Sequence, residues 1–134
     1  MFYDFSVTIP TTATKGDPFE QELQLPFGIV HKVTLFWWPG PHGLVHLVIN
    51  RYGHQVLPTN PGESFHYDNL THVMEDRIEL LTPPHTLTVV GWGVNCSYDH
   101  EVIIGVGILP PESFPEYQPA DTRLAKMLKL VGIK

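Results

Sequence analysis

Apolar and polar residues alternate with a period of two along most of this chain, and that alternation predicts strands. Tyr3, Phe5, Val7 and Ile9 share one face of a strand over residues 2–9, which Pro10-Thr11-Thr12 ends. After the turn Thr14-Lys15-Gly16-Asp17-Pro18, Phe19, Gln21, Leu23 and Leu25 alternate with Glu20, Glu22 and Gln24, a strand with one wet face. Residues 29–38 form a longer strand. Ile29, His31, Val33, Leu35 and Trp37 fall on one face and Val30, Lys32, Thr34, Phe36 and Trp38 on the other. Both faces are partly apolar there, as suits a central strand.

The stretch WWPGPHGLVHLVIN turns through Pro39-Gly40-Pro41-His42-Gly43 and re-enters a strand over 44–52. Gly53 allows a reversal into a short strand, 54–57, and the turn-rich run 58–63 follows. Residues 70–81 carry helix formers, yet Val73, Glu75, Arg77, Glu79 and Leu81 alternate against His72, Met74, Asp76, Ile78 and Leu80. The neighbouring strands favour strand here too. Residues 86–93 and 98–109 bring the number to about eight, at the spacing of a sandwich or barrel. The predicted fold is therefore all-β, an antiparallel sandwich or barrel over 1–110, which the resemblance given below narrows to a jelly roll, with Val33, Leu35, Leu47, Ile49, Val89, Ile103 and Val106 among its core residues.

From Pro110 the pattern changes. PPESFPEYQPADT is rich in proline and lacks periodicity, which reads as an extended arm over 111–134. Within it Leu124, Met127, Leu128 and Val131 stand at i, i+3, i+4 and i+7, one stripe of a short helix, with Asp121 or Thr122 as its N-cap and Gly132 as its stop. A helix this short needs a surface to lie on. Arg123, Lys126, Lys129 and Lys134 supply half of the protein's eight basic residues, which suits an acidic partner surface. This makes Arg123, Leu124, Lys126, Met127, Leu128 and Val131 the candidate assembly residues.

Composition narrows the function. At 134 residues the chain is long enough to bury a core without a staple, and its single cysteine, Cys96, cannot close an internal disulfide. The first residues alternate like a strand and show no secretory signal, and no apolar run is long enough to span a bilayer, so we expect a soluble protein with no membrane partner. The sequons at Asn69 and Asn95 are then chance matches. A net charge of −6 leaves no basic surface for a run of phosphates, which excludes nucleic acid as a direct partner.

The histidines are weighed against metal chemistry. A cupin-type site wants two histidines one residue apart on a strand, a following Glu and a distant third histidine. His42 and His46 are four apart with Gly43 between them, so a turn histidine and a sheet histidine are the simpler reading. Ser64, His66 and Asp68 are close in sequence but in a polar loop, where proximity does not define a triad. Asp99-His100-Glu101 reads as a wet face, Cys96 as an inert thiol, and Glu75, Asp76 and Glu79 as charges that solvate a strand. No catalytic residue, metal or cofactor is assigned. Trp37, Trp38, Trp92 and Tyr98 are candidate ligand or interface aromatics, since such rings stack on sugars or fill subunit contacts.

FYDFSVTIP, the GPHGLVHLVI corner and the GILPPE exit resemble a family of small jelly-roll virion structural proteins of tailed bacteriophages, of the head-decoration or auxiliary capsid type. The likeness covers roughly residues 2–111 and rests on strand layout and turn placement. It implies a protein without an active site that forms trimers or other rings and binds the major capsid or other virion proteins through loops and arms. It also implies synthesis in the host cytoplasm and residence in the virion. A carbohydrate-binding sandwich is the second reading, and a small cupin-like metal enzyme the third.

Overall fold

The structure, a computed structural model, describes residues 1–114. Eight strands run in chain order: β1 (Phe2–Ile9), β2 (Phe19–Gln24), β3 (Gly28–Trp37), β4 (Val45–Arg51), β5 (His54–Leu57), β6 (Leu70–Leu80), β7 (Thr86–Gly93) and β8 (His100–Leu109). They form two four-stranded antiparallel sheets, ordered β1-β8-β3-β6 and β2-β7-β4-β5. Consecutive strands change sheet at every step except β4 to β5, and this order is that of a jelly roll. The exception is a hairpin whose loop residues, Tyr52 and Gly53, both have positive φ (53° and 75°), the geometry of a two-residue primed turn.

The strands form as the alternation predicts because one face of each meets the opposite sheet. Across β1, β8 and β3 the register sets Val102 between Val7 and Trp37, and Val106 between Tyr3 and Val33. The facing sheet supplies Leu23, Val45, Leu47, Ile49, Leu87 and Val89, and the two layers close on one core. The strand reading of 70–81 holds: β6 pairs with β3 from Gly28↔Leu80 to Trp37↔Leu70. Hydrogen bonding to a central neighbour outweighs the local helix propensity of THVMEDRIELL.

Three expectations are corrected. A register shift between Val30 and Lys32 brings Val30 into the core with Val33, Leu35 and Trp37. His31 consequently leaves the inner face and sits edge-on to Phe2, ring centroids 5.9 Å apart. Ile103 is only half-buried, because the inner face of β8 is Val102, Ile104, Val106 and Ile108. The third concerns residues after the sandwich: Pro111–Ser113 form a 3-10 turn rather than extended chain. The arm residues Arg123, Leu124, Lys126, Met127, Leu128 and Val131 lie outside the described residues.

Gly91 shows how tightly the sheets approach. It lies on the inner face of β7, and a Cβ built there would collide with Cδ1 of Ile9, reaching across from β1 in the other sheet. Gly91→Ala is therefore expected to overpack the core and cost about 1–3 kcal/mol in denaturant unfolding, with partial relief in Ile9→Val/Gly91→Ala.

Candidate functional site

Four of the loops that join the two sheets, β1–β2, β3–β4, β5–β6 and β7–β8, gather at one end of the sandwich, and side chains there tie them together. Asp68 Oδ1 accepts the N–H groups of Gly40 and His42, both at 2.9 Å, and so fixes the PGPHG corner from the loop before β6. Within the corner His42 has φ 51° and Gly43 φ 76°, and the Leu44 N–H donates to Pro41 O at 2.9 Å. Those backbone donors hold the Asp68 carboxyl below the usual carboxylate range, with further pull from His42 and His100. Asp99 accepts the Thr11 N–H at 2.9 Å, Val94 donates to Leu44 O at 2.9 Å, and Phe65 exchanges two backbone bonds with Leu47. The WWPGPHG stretch is thus a corner held by a carboxylate.

A cleft of about 590 Å³ opens on the outer face of the β2-β7-β4-β5 sheet, beside this end. Because Val45, Leu47 and Ile49 point into the core, His46 points outward, and the register places Trp92 of β7 directly beside it. The two rings are parallel to within 4°, centroids 5.4 Å apart. His66 lies against His46 with centroids 4.7 Å apart and rings tilted by 36°, and Ser64 Oγ lies 2.8 Å from His46 Nδ1. Thr14 and Lys15 from the first turn, Glu63 and Asn95 also line it. Burial, then the like charges of His66 and Lys15, hold the His46 imidazole below the ordinary histidine range. The cleft offers an aromatic wall, hydroxyls, an amide and a group of bases, a set suited to reversible binding.

The residues singled out from sequence are dispersed. His42 belongs to the corner and His46 to the cleft, and Ser64, His66 and Asp68 divide between them. Among the described residues, no group of three or more His, Cys, Asp or Glu is placed to hold a metal ion. The wet-face reading of 99–101 fails at His100, which is 8% exposed and packs on Tyr98 with centroids 4.6 Å apart. Desolvation pulls its pKa down, against the attraction of Asp68 and Asp99. Trp37 is a correction as well. It is fully buried, meets Tyr67 edge-on at 6.0 Å, and shows no face to a ligand. Trp38 lies on the other sheet's outer face, where its Nε1–H reaches Glu101 at 3.4 Å, and Tyr98 is exposed over His100. Of the four aromatics only Trp92 lines the cleft. Cys96 packs against the core edge, its Sγ over Gly93, and Glu75, Asp76 and Glu79 are exposed on β6.

Sequence reasoning missed Lys15 as a cleft residue and the pairing of Ser64 with His46. A lysine in a polar turn gives no signal of its own, and His46 meets Trp92 only through the non-local pairing of β4 with β7. Comparison with protein-family models and with curated proteins gave no match to this chain.

The two depressed histidines make stability pH-dependent. In the unfolded chain His46 and His100 bind a proton near pH 6.5, whereas in the fold they bind it only at lower pH. The unfolded state therefore takes up more protons in that interval, and the stabilisation present above about pH 6.5 is lost as pH falls toward the folded-state values. The urea midpoint is expected to be lower at pH 5 than at pH 7.5, with a smaller difference in His46→Gln/His100→Gln. Equal midpoints in the native protein would contradict this.

Proposed function

We propose that the protein is a non-enzymatic virion structural protein, a jelly-roll unit that assembles with copies of itself into a symmetric ring and attaches to the capsid or another virion component. The observation that carries this reading is the partition of charge. Residues 123–134 hold four basic and no acidic residues, while residues 1–122 hold four basic and fourteen acidic ones, a body of charge −10. A predominantly acidic docking line is available on that body: β6 is an edge strand of its sheet, and Glu75, Asp76 and Glu79 are exposed along it beside the single basic Arg77. The basic residues of 123–134, with the apolar set Leu124, Met127, Leu128 and Val131, complement this edge on a neighbouring copy. The core of the sandwich is filled by aliphatic and aromatic side chains, which supports an architectural role rather than a cupin-like interior site.

A charge swap in the full chain tests it. Lys126→Glu/Lys129→Glu and Asp76→Lys/Glu79→Lys should each shift sedimentation toward the monomer at low salt, and the four substitutions together should restore assembly. If neither pair alters the sedimenting species, docking of the basic segment on β6 is wrong. A binding assay with purified virions lacking this protein, run on the same variants, reads the attachment half of the proposal.

A further inference from the structure

We propose that the cleft formed by Lys15, His46, Ser64, His66 and Trp92 is a binding site for a carboxylated pyranose, a sugar ring bearing an acidic group. The volume of about 590 Å³ falls within the range of small-molecule sites. Trp92 is only half-buried and lines the cleft, its ring stacked parallel to that of His46, and the indole surface left on the cleft side can lie against a pyranose face. Hydroxyl and amide groups for the ring's own hydroxyls come from Thr14, Ser64 and Asn95, and the Glu63 carboxylate can accept from them as well.

The basic groups set the ligand's charge. Only four Lys or Arg occur in residues 1–122, and Arg51 is engaged by backbone carbonyls at the other end of the sandwich. That Lys15 shares one cleft with two histidines, in a body so acidic, marks this as a place where a carboxylate is welcome. Against these three bases the described lining sets one carboxylate, that of Glu63, which leaves room for a second from the ligand. The groups facing His46 are Lys15 from the β1–β2 loop and His66 and Glu63 from the β5–β6 loop. A carboxylate placed among the three bases favours their protonated forms, so affinity should rise as pH falls from 7.5 to 5.5.

The site lies on the sheet opposite β6 and does not depend on the assembly reading, so either can fail without the other. The test follows the Trp92 indole N–H of the full-length protein by NMR, assigned by its loss in Trp92→Phe, during titration with sodium glucuronate, glucose or sodium acetate at pH 5.5 and 7.5. Glucuronate should give a saturable shift of that resonance and bind about five-fold or more tighter than glucose, the scale of one or two partly exposed ion pairs, and tighter still at pH 5.5. Lys15→Glu should erase the preference for glucuronate while leaving the weak response to glucose in place. Equal binding of glucose and glucuronate would overturn the assignment of charge. Acetate binding as tightly as glucuronate would overturn the role of the ring, and a Trp92 resonance unmoved by any of the three would overturn the site.

Discussion

Trp37→Ala is expected to destabilise the protein by about 3–5 kcal/mol, the largest effect of any single truncation in the sandwich. Trp37 is the largest side chain in the fully buried set, it ends β3, and it lies between Val102 of β8 and Leu70 of β6 in the sheet while meeting the Tyr67 ring edge-on. Its removal would open a cavity where the core meets the looped end, a region braced by Asp68 and Phe65 that has little freedom to collapse. Its indole N–H finds no hydrogen-bond partner among the described residues. Trp37→Phe, which loses volume but also removes that buried donor, should therefore cost only about 1–2 kcal/mol. Denaturant unfolding of the two variants checks the ratio. A Trp37→Phe variant as unstable as Trp37→Ala would show that the indole makes a bond the packing does not reveal.

The second large effect is at the opposite end. Arg51 closes β4 with its guanidinium buried, donating from Nη1 to Pro84 O and Thr86 O and from Nη2 to Thr82 O and the Tyr52 hydroxyl. Its Cζ also lies 4.0 Å from the centroid of the Tyr52 ring, and Tyr52 in turn reaches the Thr82 hydroxyl at 2.8 Å. One side chain thus pins the β6–β7 connection to the β4–β5 hairpin. Arg51→Ala is expected to cost about 2–3 kcal/mol, since bonds from a charged donor are lost together and the carbonyls must find water. Arg51→Lys should recover little, because a point ammonium cannot span acceptors that a planar fork reaches from two nitrogens. Urea unfolding of Arg51→Ala and Arg51→Lys against the native protein measures both. Full recovery by lysine would mean that charge alone matters there.

How far the sequence could be read depends on whether the deciding contact is local. Strands such as β1 are legible because Tyr3, Phe5, Val7 and Ile9 alternate with polar residues and have a single possible inner face. In β8 the run Val102-Ile103-Ile104 is apolar on both faces, so alternation alone does not choose between Ile103 and Ile104; pairing with Phe5 and Leu35 selects Ile104. The bulge that turns His31 outward leaves no mark in a sequence where Val30 and Val33 are equally apolar. Trp37 and Trp38 illustrate the same limit, since two adjacent indoles look alike until the sheet sends one to the core and the other to the surface. The cleft was the least legible feature. Its residues come from the β1–β2 loop, β4, the β5–β6 loop, β7 and the β7–β8 loop, brought together by strand pairings between segments far apart in the chain. Arg51 was equally hidden, because a basic residue after an apolar strand looks like a solvated end.

The proposed role in assembly rests on association of the full chain, and its mass in solution tests that most directly. Light scattering across a range of protein concentrations at low salt should give a small integral multiple of the 15.2 kDa subunit, and added salt should move the particle toward the subunit mass as the contacts between the basic segment and the acidic body are screened. A particle of 15.2 kDa at every concentration and salt level would contradict the account.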